Sequence, residues 1–196
     1  MKGRRKHRSI RVIAGALRGR RIATPEGRET RPPLDSQRET IFNILGPAVS
    51  GAMVVDLFCG SGSFGIEALS RGAGKAWFLE RNAAALQALT TNLSDLGLEE
   101  VSRILRCDAF QFPDVPGGWS DPADLVFIDP PFKVLAAPEG GMLVQRLLDR
   151  VGPAMAGGGV VVLRLSSHSP QPRLPRGCKD ENPRALGKSR VHFLTY

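Results

Sequence analysis

From Ala52 onward the chain alternates short apolar runs with segments of helical periodicity, and this alternation restricts the fold more than any other feature. Parallel strands need a crossover between them, and a helix in each crossover covers the sheet. The runs at 52–57, 75–80, 101–107, 123–129 and 158–164 read as strands, and 63–71, 82–96 and 140–151 as helices. Within 82–96, Leu86, Leu89, Leu93 and Leu96 recur at spacings of three and four, a stripe that packs on a core, with Asn82 placed to cap the helix. The expected class is α/β, with a mostly parallel, Rossmann-like sheet and helices on both faces.

A different pattern precedes this. Ile10-Arg11-Val12-Ile13 and Arg20-Arg21-Ile22-Ala23 alternate around Gly15 and Gly19, which predicts a small N-terminal β-hairpin with arginine on its exposed face. Arg31-Pro32-Pro33-Leu34 imposes an extended loop, since each proline disfavours helix in the residue before it. Asp35 or Ser36 can then cap a helix with Ile41, Phe42, Ile44 and Leu45 inward, ended by Gly46-Pro47. Residues 1–34 are thus expected to form a basic hairpin extension and 35–196 the main domain. The proline-rich, polar stretch 166–182 is assigned little structure, and Val191-His192-Phe193-Leu194 reads as a closing strand.

Charge is concentrated at the same end. Of the formal +8, residues 1–31 carry eleven Lys or Arg against two Glu, leaving the remainder near −1. A local surplus of this kind suits a polyanion, because each phosphate neutralised releases counterions; for Met1 to Ser9 the other reading is a solvated tail. Cys59, Cys107 and Cys178 form no CxxC pair and are odd in number, which argues against a disulfide framework or a zinc site, so no metal is expected. No run approaches the roughly eighteen apolar residues of a membrane span, and no apolar segment follows the N-terminal charges, so a cytoplasmic protein is expected.

Two motifs carry chemistry. Gly60-Ser61-Gly62-Ser63-Phe64-Gly65 fits GxGxxG and follows Val54-Val55-Asp56-Leu57-Phe58-Cys59; alone it points first to a dinucleotide dehydrogenase. Asp56, four places before Gly60, changes that reading, because a carboxylate there repels a diphosphate and welcomes a cation. S-adenosylmethionine brings a sulfonium, an ammonium and no phosphate. Glu80 closes the next strand twenty residues after Gly60, the spacing that lets an acid accept both ribose hydroxyls. Asp108, with the backbone at Ala109, can hold an adenine amino group, and Phe58, Gly62 and Arg81 flank the same strand ends. Each acid alone can be a strand-end cap; together they sit where open α/β sheets bind ligands.

The second motif is Asp129-Pro130-Pro131-Phe132, after the apolar run Leu125-Val126-Phe127-Ile128. The exocyclic amine of a purine is a poor nucleophile because its lone pair is delocalised into the ring. Asp129 and the Pro130 carbonyl, each accepting one N–H, localise that lone pair; Pro131 stiffens the turn, and Phe132 offers a face for stacking. Alignment is expected to supply most of the acceleration, with Asp129 accepting the proton afterward. The bland alternative is a strand-ending Asp-Pro turn.

DLFCGSGSFGIEALSRGA, the following FLER and DPPF resemble class I S-adenosylmethionine-dependent methyltransferases. Together with RVIAGALRGRRI and RPPLDSQRETIFNIL, the chain from about Ile10 to Leu194 resembles the RsmD family of 16S rRNA guanine-N2 methyltransferases. It departs from the family pattern at Pro33-Leu34, where threonines are usual, and at Cys59, often alanine. The resemblance implies transfer of a methyl group to the N2 amine of a guanine in small-subunit rRNA, within a partly or fully assembled subunit; a monomer is expected. A base in such a pocket must be unpaired or flipped out, and Arg11, Arg18, Arg20, Arg21, Arg31 and Arg38 are the expected RNA contacts. The rivals are a DNA adenine-N6 methyltransferase, which can use a DPPF-type tetrapeptide, and a non-catalytic RNA-binding ribosome assembly factor.

Overall fold

The computed structural model describes residues 9–25, 35–114 and 121–196. Strands β1 (Ser9–Arg11) and β2 (Arg21–Ala23) pair antiparallel as the expected hairpin, with Ile10 opposite Ile22 and Arg11 opposite Arg21. Both isoleucines are buried and both arginines exposed, the alternation of a strand with one face on a core. The loop over 31–34 lies outside the described residues.

Helix α1 (Asp35–Leu45) buries Ile41, Phe42 and Leu45, and a 3₁₀ turn at Gly46–Val49 ends it. Then come β3 (Met53–Leu57), α2 (Ser63–Ser70), β4 (Lys75–Glu80), α3 (Ala83–Leu96), β5 (Ser102–Arg106) and β6 (Ala123–Ile128). The chain continues through a short α4 (Phe132–Leu135), α5 (Gly140–Val151), β7 (Met155–Ser166), β8 (Lys179–Asp180), β9 (Arg184–Leu186) and β10 (Ser189–Thr195). Asn82 caps α3 as expected, its side chain accepting the Ala85 N–H at 3.0 Å. Leu89, Leu93 and Leu96 are buried, with Leu86 half-buried at the edge of the stripe.

The main sheet runs β5-β4-β3-β6-β7-β10-β8, with β9 also paired to β10. Neighbours among β5, β4, β3, β6 and β7 are parallel, while β10 lies antiparallel to β7. One face packs Val54, Phe78, Leu125, Phe127 and Val162 against α1, α2, α3 and the hairpin. The other packs Val55, Leu57, Leu79, Val126, Ile128 and Leu163 against Val144, Leu147, Leu148 and Val151 of α5. Residues 167–178 carry neither helix nor strand, in keeping with the proline-rich composition, and only β8 and β9 add short edge pairings there and beyond.

The hairpin is fastened by buried polar groups. Glu67 on α2, fully buried, accepts the Ile13 N–H at 2.8 Å and the Ala14 N–H at 3.1 Å. Asn92 on α3 accepts the Ala23 N–H at 2.8 Å and donates to the Ala23 and Ser61 carbonyls. Ile10, Val12 and Ile22 belong to the same core as Phe42 and Phe127.

Candidate functional site

The chain leaves β3 toward β4 and β5 on one side and returns to β6 on the other. Strand order therefore reverses between β3 and β6, and the crevice beyond their carboxyl ends is where sheets of this kind take ligands. Both sequence motifs lie there: the glycine turn after β3 and Asp129-Pro130-Pro131-Phe132 after β6.

The turn is built for closeness. Phe58 has φ of 62°, and Gly60 and Gly62 have φ of 56° and 90°, all in the left-handed region that side chains seldom adopt. A Cβ added at Gly60 meets nothing within 4 Å, so the backbone faces open space; one added at Gly65 stands 2.3 Å from the Phe78 ring. The first glycine thus exposes the turn, and the third lets α2 pack on β4.

Asp56 is buried beneath this turn, its Oδ2 accepting the Gly65 N–H at 2.9 Å in the first turn of α2. Burial, reinforced by the neighbouring Asp129 and Glu80 charges, pushes its pKa up to about 8 despite that hydrogen bond. Glu80 accepts the Gly60 N–H at 3.0 Å through Oε2 and the N–H groups of Arg81 and Asn82, each at 2.8 Å, through Oε1. It fixes the glycine turn to the end of β4. Asp108 caps a 3₁₀ turn by accepting the Phe110 N–H at 3.1 Å, with Ala109 buried beside it. The exposed Arg81 reaches Asp108 at 3.4 Å, linking the ends of β4 and β5. Phe58 and Phe110 meet edge to face, centroids 4.9 Å apart. Three acids, two aromatic rings and an open glycine backbone, with no basic side chain in the first turn of α2, suit a cationic nucleoside better than a diphosphate.

Beyond β6, Asp129 is paired with Arg164, whose Nη1 donates to Oδ1 at 2.5 Å. Burial pushes the Asp129 carboxyl above its ordinary range, and the Arg164 charge and hydrogen bond pull it back. The Arg164 guanidinium also lies over the Phe132 ring, 5.3 Å from its centroid. Phe132 itself is 45% exposed, so its other surroundings leave ring area open to a ligand. Pro131 heads α4 and its carbonyl accepts the N–H groups of Val134 and Leu135, which holds the tetrapeptide as a rigid bend.

The candidate RNA contacts divide. Arg11, Arg18, Arg20 and Arg21 are exposed on the hairpin. Arg20 donates to the Asp95 carbonyl at 2.8 Å, near the carboxyl end of α3, and Arg21 to Ser9 Oγ at 2.9 Å. Arg31 lies outside the described residues. Arg38 corrects the expectation: its side chain is fully buried, ion-paired to Asp35 at 2.9 Å and Glu67 at 3.8 Å, and donating to the Ser63 and Arg11 carbonyls. A guanidinium so enclosed is a structural strut between α1, α2 and the hairpin and is closed to a phosphate. Two side chains at the site escaped the sequence reading, Phe110 and Arg164. The latter had a signal: a lone arginine inside the apolar run Val160-Val161-Val162-Leu163-Arg164-Leu165, a place where an unpaired charge is not tolerated.

Comparison with known proteins agrees with this architecture. Over 124 residues the chain is 40% identical to Ribosomal RNA small subunit methyltransferase D of Escherichia coli, covering 63% of this chain and 61% of that protein. It is 39% identical over 124 residues to YlbH of Bacillus subtilis, covering 63% and 67%. The matched stretch thus spans about three fifths to two thirds of these curated relatives. The solved structure of yhhF from Escherichia coli superposes with a TM-score of 0.79 at 30% identity, covering 95% of this chain and 97% of that one. The family profile described as Conserved hypothetical protein 95 matches residues 10–195. The chain belongs to this family, the RsmD family of methyltransferases, and has its Rossmann-like α/β fold.

Proposed function

We propose that this protein transfers a methyl group from S-adenosylmethionine to the exocyclic N2 amine of a guanine in 16S rRNA of the small ribosomal subunit. The observation that carries the reading is the meeting, at one sheet reversal, of a glycine turn ringed by Asp56, Glu80 and Asp108 with the Asp129–Phe132 bend beside it. The choice of small-subunit rRNA rests on the named relative in Escherichia coli, and that of guanine N2 on the family resemblance.

When bound, the cofactor supplies an electrophilic methyl carbon on a sulfonium. Gly60 gives it backbone access, Gly62 shapes the turn beneath it, Asp56 and Glu80 supply negative charge, Glu80 offers acceptors for ribose hydroxyls, and Asp108 with Ala109 addresses the adenine. Asp129 and the Pro130 carbonyl take one N–H each from the amine, so that its lone pair projects from the ring plane. Phe132 stacks on the base, and Asp129 holds the proton lost from nitrogen once the new N–C bond has formed. Exposed Arg11, Arg18, Arg20 and Arg21 add sequence-independent attraction to the RNA backbone.

The test is methylation with labelled cofactor on immature small subunits, naked 16S rRNA and duplex DNA, with the product nucleoside identified by mass spectrometry. Label as N2-methylguanosine in rRNA is expected, and Asp129→Ala should abolish it while cofactor binding persists. Label on DNA adenine alone would turn the reading to the adenine-N6 class. Cellular rRNA modification unchanged by Asp129→Ala would leave an assembly factor.

A further inference from the structure

Arg164 touches neither cofactor nor base in the methyl-transfer reading, yet it is the side chain that holds Asp129. Its place follows from sheet register. Phe127 lies beside Val162 and Ile128 beside Leu163, so the next step along both strands sets Asp129 beside Arg164. Both continue the alternation that puts Phe127 and Val162 on the face carrying Asp56 and Glu80. On its other side Arg164 lies opposite Val191 of β10, which brings no charge.

The guanidinium is nine-tenths buried, with its side chain 9% exposed, and its Nε is a buried donor without a hydrogen-bond partner. Leaving such a donor unpaired is unfavourable, so a compensating role is expected of the rest of the guanidinium. The strut Arg38 also leaves its Nε unpaired, but spreads its two Nη groups over Asp35, Glu67 and the Ser63 and Arg11 carbonyls, tying three elements together. Arg164 ties no such set. It meets Asp129 through Nη1 and the Phe132 ring through its plane, joining the two groups that must grip the base.

Building on the methyl-transfer reading, we propose that Arg164 is a positioning residue of the base pocket: it fixes Asp129 through Oδ1, presents Oδ2 to the substrate amine, and backs Phe132 as the stacking platform. A carboxylate has acceptor sites on both oxygens, so occupying one orients the other. The charged groups around Asp129 set the second consequence. Arg164 faces it from β7 and Asp56 from β3, with Glu80 on β4 beyond Asp56. Burial favours protonation of Asp129, and the Arg164 charge and hydrogen bond oppose it, so the ionised acceptor depends on that guanidinium.

Arg164→Met, Arg164→Lys, Asp129→Asn and the double variant Asp129→Asn/Arg164→Met distinguish this from a packing role. Expected for Arg164→Met is a fall in single-turnover rate of about 10- to 100-fold at neutral pH, with S-adenosylmethionine affinity by calorimetry unchanged within about twofold. The acid limb of its pH–rate profile should move up by about one unit or more, the scale of losing an opposite charge. Arg164→Lys should restore the limb and part of the rate. In the Asp129→Asn background, Arg164→Met should cost nothing further. An unmoved acid limb, or the same loss in the Asp129→Asn background, overturns the proposal. A carboxyl-carbon NMR titration of Asp129 reads the pairing without turnover: a wild-type protein that methylates no rRNA while Arg164→Met still raises the Asp129 titration would sink the functional reading and leave the pairing intact. A carboxyl that titrates identically with and without Arg164 would sink the pairing.

Discussion

Glu67 on α2 and Ile13 in the hairpin are 54 residues apart in sequence and joined by a 2.8 Å hydrogen bond from the Ile13 N–H to a fully buried carboxylate. The same carboxylate takes the Ala14 N–H, the Arg71 guanidinium at 2.7 Å and Arg38 at 3.8 Å. Removing one partner from a buried ionic cluster strands the others. Glu67→Ala should therefore destabilise by about 3–5 kcal/mol, lowering the melting temperature by on the order of 10 °C. Glu67→Gln, which keeps an acceptor, should cost less. Thermal unfolding followed by circular dichroism checks the order; equal losses would show that the charge and not the hydrogen bonds fastens the hairpin.

Two hairpin glycines separate conformational strain from contact. Gly15 and Gly19 have φ of 82° and 85°, so alanine at either meets a similar backbone penalty of about 1–3 kcal/mol. Their surroundings differ. A Cβ at Gly15 falls 1.7 Å from the Ser70 carbonyl oxygen, which also accepts the Ala16 N–H at 2.7 Å, whereas one at Gly19 meets nothing within 4 Å. Gly15→Ala must push the hairpin off α2 and should destabilise clearly more than Gly19→Ala. Chemical denaturation of the two variants measures the difference, and equal midpoints would mean that the hairpin does not rest on α2 in solution.

The same contrast explains what the sequence disclosed. Strands β3, β4 and β6 are flanked by polar turns and buried on both sides, so their apolar runs located them within a residue or two. β7 starts at Met155, three residues before the run that announced it, because Met155, Ala156 and Gly157 precede a register irregularity in the pairing with β6 and are not buried. β8 and β9 are edge pairings of two and three residues with little apolar content, which periodicity cannot register. The acids Asp56, Glu80 and Asp108 were legible because strand ends in a parallel sheet share one edge. Arg38 was misread because its fate depends on Glu67, 29 positions away, and charge in a helix reads equally as strut or surface. The Asp129–Arg164 pair spans 35 positions and exists only through the register of β6 and β7.

If Asp56 faces the cofactor as proposed, its raised pKa should make binding pH-sensitive. Its pKa is about 8 in the folded chain against 3.8 for an aspartate in water. The native state thus binds this proton more tightly than the unfolded state, and its contribution to stability, present at low pH, is lost as pH rises from about 4 to about 8. Asp56→Asn removes that slope, so its stability relative to wild type should grow between pH 5 and pH 8. A cationic ligand favours the ionised form. Binding of S-adenosylmethionine near pH 7 should then release a proton and tighten as pH rises toward 8, and Asp56→Asn should bind with little such dependence. Calorimetry in two buffers of different ionisation enthalpy counts the proton; a wild-type signal identical to that of Asp56→Asn would mean that Asp56 does not sense the ligand.

If Phe132 is the stacking platform proposed, its removal should separate base binding from cofactor binding. Its ring is 45% exposed, backed by Arg164, and follows the rigid Pro130-Pro131 bend, so removing it should leave the glycine turn and its acids in place. A stacked base contributes about 1–3 kcal/mol by alanine substitution, so Phe132→Ala should lower kcat/KM for RNA by roughly 5- to 150-fold. Cofactor affinity should hold within about twofold, because Gly60, Glu80 and Asp108 are untouched. Phe132→Tyr keeps the aromatic face and should retain most activity. If Phe132→Ala weakened the cofactor as much as the RNA, the ring would serve the cofactor and not the base platform.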